Sequence, residues 1–331
     1  DVLFNETSKL ETIEEYAFFG CKLLNNIQIP KTVTFIGIAA FMYCDKINVT
    51  LPPNLKTIEE RIFYACDSLK SAIIPSHIKT IEYDAFHGCG AIENFKLPES
   101  LITIKRNGFA GSAIQSITFP ASLKSIMINA FYKCEKLEEV IFTSDLYLID
   151  SEAFNECSKL QSVKFLSTIK TIKTNAFCKC EKLKYIQFNS SPENIEAYAF
   201  NGCSSIEEIS FPTTVKMINS DTFNGCSGLK AIKYLAPVET IDTDAFKGCP
   251  SLQTIEFLSN VKDIKSQAFN DCSELNEIKF SNSPRSVHEK AFSGCSPTHV
   301  IKFLPSVKRI EANAFIKCSD LNEIHFMSDI D

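Results

Sequence analysis

The chain has 331 residues, 45% of them hydrophobic and 22% charged, with a formal net charge of −6. This composition excludes collagen-like and disordered chains, and the negative balance excludes a global basic field for nucleic acid or anionic lipid. No apolar run approaches the ~18 residues of a membrane span, so no direct membrane insertion is expected of this segment.

From the N-terminus, Val2 and Phe4 alternate like a strand, as if a unit were already under way. Ala17-Phe18-x-x-Cys21 follows, and this element then recurs along the chain. Its Phe appears fourteen times from Phe18 to Phe315, at intervals of 23 residues in eleven cases and 22 in two. The preceding residue is Ala except at Ile62, Gly108 and Thr222, and the third residue after it is Cys except at Ser112. Periodicity of this kind is the signature of a repeat architecture. The expected organisation is a single array over 1–331 of about fourteen repeats, cut mid-repeat at both ends.

Residues 246–268 show one unit in order. After Phe246 and Cys249 come Leu252, then Ile255 and Phe257 alternating with polar neighbours, then Val261 and Ile264. Alternation at period two predicts a short half-buried strand; Val-x-x-Ile continues the wall after a turn. Ala-Phe with Cys three residues on has the spacing of one helical turn. Asp or Asn stands two residues before Phe in seven copies, where a cap or tight turn suits it. A unit this small cannot bury its apolar face alone, so neighbours must stack into a solenoid. Stacking at the strand spacing of about 4.8 Å lines equal positions into ladders. A Phe ladder on the turn and an aromatic ladder on the strand, from Phe142 to Phe326, account for most of the 27 Phe, as core packing.

The 14 Cys invite metal or disulfide readings. Equivalent ladder positions have parallel Cβ vectors at the strand spacing, whereas a disulfide needs converging vectors and a Cβ separation near ~3.8 Å. Buried free thiols are therefore expected. Cys178-x-Cys180 and His87-x-Cys89 lack the second ligand pair of a zinc site, so no metal and no cofactor is assigned. No nucleophile elbow, phosphate loop or zinc-protease motif occurs, and the five His are scattered. No catalytic residues are assigned and an enzyme is not expected.

Residues 17–36 (Ala17-Phe18, Cys21, Leu24, Ile27, Ile29-Pro30, Val33, Ile36) resemble the BspA-like class of leucine-rich repeats almost position for position. Two departures stand out. The Pro after the strand persists through Pro120 and then only at Pro212, and a Gly after the second Ile occurs only at Gly37. The resemblance implies an α/β repeat solenoid: a curved, right-handed leucine-rich-repeat superhelix with one short strand per repeat on the concave face, and short helical turns and irregular wall elsewhere. It also implies non-enzymatic protein–protein binding, with a cell-surface or secreted adhesin as the leading case. The partner would then be a host or matrix protein. The alternative is an intracellular scaffold in the cytoplasm or cytoskeleton, bridging cytoskeletal or assembly partners.

The outward face of the strands is the candidate partner-binding surface. It is expected to carry Asn26, Gln28, Asn48, Ile73, Asn94 and Ile141 in the first half, and Lys233, Glu256, Lys279 and Lys302 in the second. Amides offer directional hydrogen bonds, the two Ile are apolar anchors in a polar column, and alternating Lys and Glu can pair across rungs.

Overall fold

The computed structural model describes all residues except 1, 3, 6, 71, 94, 191, 212–214, 235–237, 283, 296–299, 304–305 and 327–331. At 211, 233–234, 257–260, 277–282, 300–303 and 326 only the backbone is described. The chain forms two compact units, Asp1–Leu160 and Gln161–Asp331.

In each unit the polar–apolar alternation becomes a parallel ladder. In the first unit, Asn26–Gln28 pairs with Asn48–Thr50, and Ser116–Phe119 with Glu139–Phe142. In the second, Ser162–Phe165 pairs with Tyr185–Phe188, and Ala231–Tyr234 with its neighbours on both sides. The offset is always one repeat, so like stacks on like. The pleat sends Ile27, Ile117, Phe119 and Val140 inward, all buried, and leaves Asn26, Gln28, Ser116 and Thr118 exposed.

The wall is more regular than the sequence suggested. Val-x-x-Ile ends in a second strand of two residues, such as Thr80–Ile81, Thr103–Ile104 and Ser125–Ile126, and these form a second parallel sheet. The expectation of one strand per repeat with an irregular wall is corrected to two. Most described wall carbonyls are sealed from above, as where the amides of Lys105 and Met127 donate to the carbonyls of Ile81 and Ile104 at 2.9 Å.

The expected helical turns are absent, and with them the α component of the fold: no helix occurs among the described residues. The reason lies in where the amides go. Around Phe18, the amides of Ala17, Phe19 and Cys21 donate three residues back, as in a helical turn. Those of Tyr16, Phe18 and Gly20 instead donate to Ile38, Ala40 and Met42 of the next coil, at 2.8–3.0 Å. Turning every second amide along the stack requires a left-handed residue two before and two after the Phe. All described positive-φ residues, twenty-one non-glycine and seven glycine with φ between +52° and +73°, stand in these two columns. Asp84, Asn107 and Asn129 suit them because Asn and Asp tolerate that region. Tyr16, Arg61 and Glu152 adopt it too, held there by the lateral bonds. An isolated turn of this length would be marginal as a helix; stacked, its alternate amides are satisfied by the neighbouring coil.

Gly225 isolates the backbone contribution. Its φ is +73°, and an added Cβ would meet nothing nearer than backbone atoms of Gly202 at 3.8 Å. Gly225→Ala should therefore lower stability by about 1 kcal/mol through φ alone, and Lys179→Gly, at φ +55°, should move it in the opposite direction. Paired urea denaturation curves check both signs.

The Phe side chains fill the space inside the turns. In the first unit Phe18 to Phe154 stack with centroids 5.1–5.7 Å apart, and in the second Phe177 to Phe315 at 5.3–5.7 Å. The described part of the strand ladder is tighter, at 4.8 Å for Phe119–Phe142 and 5.0 Å for Phe165–Phe188.

The thiols do more than fill space. Cys Sγ donates to the carbonyl of the preceding coil's Phe, from Cys44 to Phe18 at 3.0 Å through Cys226 to Phe200 at 3.2 Å. That carbonyl also accepts the backbone amide of its own coil's Cys. Phe63 thus takes Cys66 N–H at 3.3 Å and Cys89 Sγ at 3.1 Å. Ser112, the one replacement in the column, is also small and carries a donor, but its hydroxyl lies against Cys134 Sγ at 3.4 Å. All fourteen Cys are free thiols; Cys21 is exposed.

Candidate functional site

In the first unit the strand face presents Asn26 opposite Asn48 and Gln28 opposite Thr50, all exposed. Asn48 Nδ2 reaches Asn26 Oδ1 at 3.5 Å. Ile73 stands opposite Thr50 and is 68% exposed. Ile141, expected to be equally bare, is half-buried opposite Thr118. Asn94 lies outside the described residues. In the second unit, backbone register puts Lys233, Glu256 and Lys279 on consecutive rungs and Lys302 opposite His325. Glu256 is exposed, while the side chains of Lys233, Lys279 and Lys302 lie outside the described residues. Tyr185, not singled out from the sequence, is 69% exposed on this unit's strand face. An exposed Tyr in a polar column is the same signal that marked Ile73.

One rung of the first unit is open. No strand forms at Phe95–Leu97, and among the described residues no backbone hydrogen bond joins it to Ser116–Phe119. The cause is a size exchange in the inward column. Ala72 stands where the pattern has Ile or Val, and on the next coil Phe95 does. The Phe95 ring turns edge-on between Phe86 and Phe109, 5.0 Å from each. Beside it lies a cavity of about 520 Å³, lined by Lys96, Glu99, Ser116, Thr118 and Thr143 among others. The sequence showed the exchange but not the opening.

A second opening lies within the other unit. The strands Asn194–Ile195 and Met217–Ile218 do not pair, nor do Tyr185–Phe188 and Glu208–Phe211. The turn column stays bonded there, Phe200 N–H to Thr222 at 3.0 Å. Asn219 Nδ2 takes the Ile195 carbonyl in place of the usual wall amide. Thr222, an exception to Ala before Phe, is bonded through Oγ1 to the Asn219 carbonyl at 2.7 Å.

Charge is arranged in cross-rung pairs flanking the strands, such as Lys105–Glu82 and Lys262–Glu239 at 2.6 Å and Lys230–Glu207 at 2.9 Å. The Lys230 and Lys262 ammonium groups hold the Glu207 and Glu239 carboxyls below the usual range. The first unit's turn side carries an aromatic row in which Phe19, Tyr43, Tyr64 and His87 touch in sequence, with centroids 4.7–5.8 Å apart. Among the described residues no group of three or more His, Cys, Asp or Glu is placed to hold a metal ion. No helix there is long and apolar enough to cross a membrane.

The BspA type Leucine rich repeat region matches residues 4–114, 124–253 and 216–331, in six copies. Among solved structures, a leucine-rich repeat protein from Bacteroides ovatus ATCC 8483 is similar at 25% identity and TM-score 0.70, with 95% of this chain and 82% of that one covered. A leucine rich cell surface protein from Faecalibacterium prausnitzii A2-165 is similar at 27% identity and TM-score 0.50, covering 83% and 80%. A leucine-rich repeat protein from Eubacterium ventriosum ATCC 27560 shares the fold at 22% identity and TM-score 0.53, covering 93% and 80%. None of the curated proteins matches this sequence.

Proposed function

We propose that this chain, which belongs to the BspA-type leucine-rich repeat family, is a non-enzymatic protein-binding scaffold that takes its partner on the strand face and works at a cell surface. Stacked repeats suit this role because they hold an extended surface rigid while each rung varies its outward residues. The observation that carries the reading is Ile73. A large apolar side chain, 68% exposed, is fixed on a paired strand among amides and hydroxyls, where it contributes nothing to the core. The name of the similar F. prausnitzii protein, a leucine rich cell surface protein, supports the cell-surface reading, and we propose adhesion to a host or matrix protein as its use there.

A captured partner provides the test. Burying Ile73 on binding is worth about 1.5–3 kcal/mol, so Ile73→Ser should weaken affinity by roughly ten- to a hundredfold. Ile141→Ser, at a half-buried position, should weaken it less. In the second unit, Lys279→Glu and Lys302→Glu should change the salt dependence of association more than its strength. Unchanged affinity in all of these would remove the site from the strand face.

A further inference from the structure

We propose that the open rung at Phe95–Leu97 is a subsite for an acidic residue carried on an extended peptide segment of the partner. Lys96 and the hydroxyls of Ser116 and Thr118 receive the carboxylate, and the unpaired backbone of the rung receives the peptide main chain. The proposal rests on the reading that the strand face binds protein, and it names what one part of that face recognises.

Charge comes first. Along the central outward column of the first unit (Gln28, Thr50, Ile73, Lys96, Thr118, Ile141) Lys96 is the one ionisable side chain. It is exposed and has no ion pair among the described residues, whereas lysines flanking the strands, such as Lys105, are matched across rungs. Ser116 and Thr118 line the same cavity, and hydroxyls donate to a carboxylate without adding a competing charge, whereas the Thr143 hydroxyl is taken up by the Phe119 carbonyl at 3.0 Å. Glu99 also lines it. Its charge disfavours a polyanion such as nucleic acid, so the proposed ligand carries one carboxylate and not several.

The backbone supplies the rest. In a closed ladder, Thr118 N–H would donate to the Phe95 carbonyl, and Leu97 N–H to the Thr118 carbonyl. Neither bond is made. Donors and acceptors spaced along an extended segment match a peptide main chain, as in recognition at sheet edges. The cavity of about 520 Å³ is within the usual size of ligand clefts. The opening is set by the packed core, through Phe95 wedged between Phe86 and Phe109, so it stands ready without a ligand, and preorganisation of this kind favours affinity. Ile73, at the equivalent position one coil away, offers an apolar contact to a neighbouring peptide side chain.

The test uses the full chain, immobilised and exposed to a pool of randomised octapeptides, with bound sequences read by mass spectrometry. Asp or Glu should be enriched at least fivefold at one library position for the unaltered chain. Lys96→Met, at an exposed position, should keep the thermal midpoint and lose that enrichment. The best peptide should bind the variant at least tenfold more weakly and should protect the amides of Leu97 and Thr118 from exchange. No acidic enrichment, or enrichment that survives Lys96→Met, overturns the subsite. Peptide binding lost in Ile73→Ser but untouched by Lys96→Met would leave the strand face as the binding surface and refute only the subsite. Binding indifferent to both substitutions would refute the face as well. Displacement by citrate as effective as by the best peptide would assign the site to free anions and overturn the peptide proposal.

Discussion

Phe200→Ala should lower stability by about 3–5 kcal/mol, the range for truncating a fully buried aromatic. Phe200 is wholly buried, and its ring stacks on Phe177 at 5.5 Å and on Phe223 at 5.7 Å. The cavity would sit between two rings that cannot close on each other, because hydrogen bonds from the turn amides to the next coil fix the spacing, as from Phe177 to Ala199 at 2.9 Å and from Phe200 to Thr222 at 3.0 Å. Repeats couple to nearest neighbours, so amide exchange should rise first in the coils of Phe177 and Phe223. Glu256→Ala, exposed on the strand face, should stay within about 0.5 kcal/mol of the unaltered chain. Exchange rising evenly along the chain would contradict local coupling.

Raising the pH should unfold the protein over a narrow alkaline window. Burial pushes the thiols up: Cys44 to about 11, Cys89 and Cys249 to about 12, with Cys66, Cys226, Cys272 and Cys295 raised as well. The folded values lie above the unfolded one, so between the two the folded chain keeps protons that the unfolded chain releases. Stability from this source is complete below about pH 8.5 and falls as the pH rises. Each such thiol removes roughly 1.4 kcal/mol per pH unit, and seven together remove on the order of 10 kcal/mol per unit. Typical domain stability would be exhausted within about one to two units. Urea midpoints at pH 7.5, 8.5 and 9.5 measure the slope. Combined Cys226→Ala, Cys249→Ala and Cys272→Ala substitutions should reduce it by about three thiols' share. Denatured, unreduced protein should release fourteen thiols, matching the free Cys of the fold. A flat profile to pH 10 would contradict the buried thiol ladder.

The periodic Phe and the strand alternation were legible because both are core demands repeated at every copy. The helical turn was misread because Ala-Phe-x-x-Cys has the same local spacing in a helix and in two consecutive turns. What separates them is the hydrogen bond from the Phe18 amide to the Ala40 carbonyl, a partner 22 residues away that no local window contains. The seven Asn and Asp before Phe hinted at left-handed backbone; Tyr16 and Glu152 gave no such hint, since stacking imposes it on them. The thiol bonds had no local signal, since a buried Cys that only fills space and one that donates to the preceding coil's carbonyl read alike, and even Ser112 turns its hydroxyl to Cys134 Sγ instead. On the strand face, Ile73 was legible from polarity alone. The half-burial of Ile141 depends on its neighbours, and the unpaired rung at Phe95 depends on how a ring seats between two others.

Amide exchange of the partner complex against the free chain tests the central claim, that the strand face binds protein. The account predicts new protection at Gln28, Thr50, Ile73 and Thr118 in the first unit, with the turn columns unchanged. Protection confined to the aromatic row of Phe19, Tyr43 and Tyr64, with the strand face exchanging as in the free chain, would contradict it.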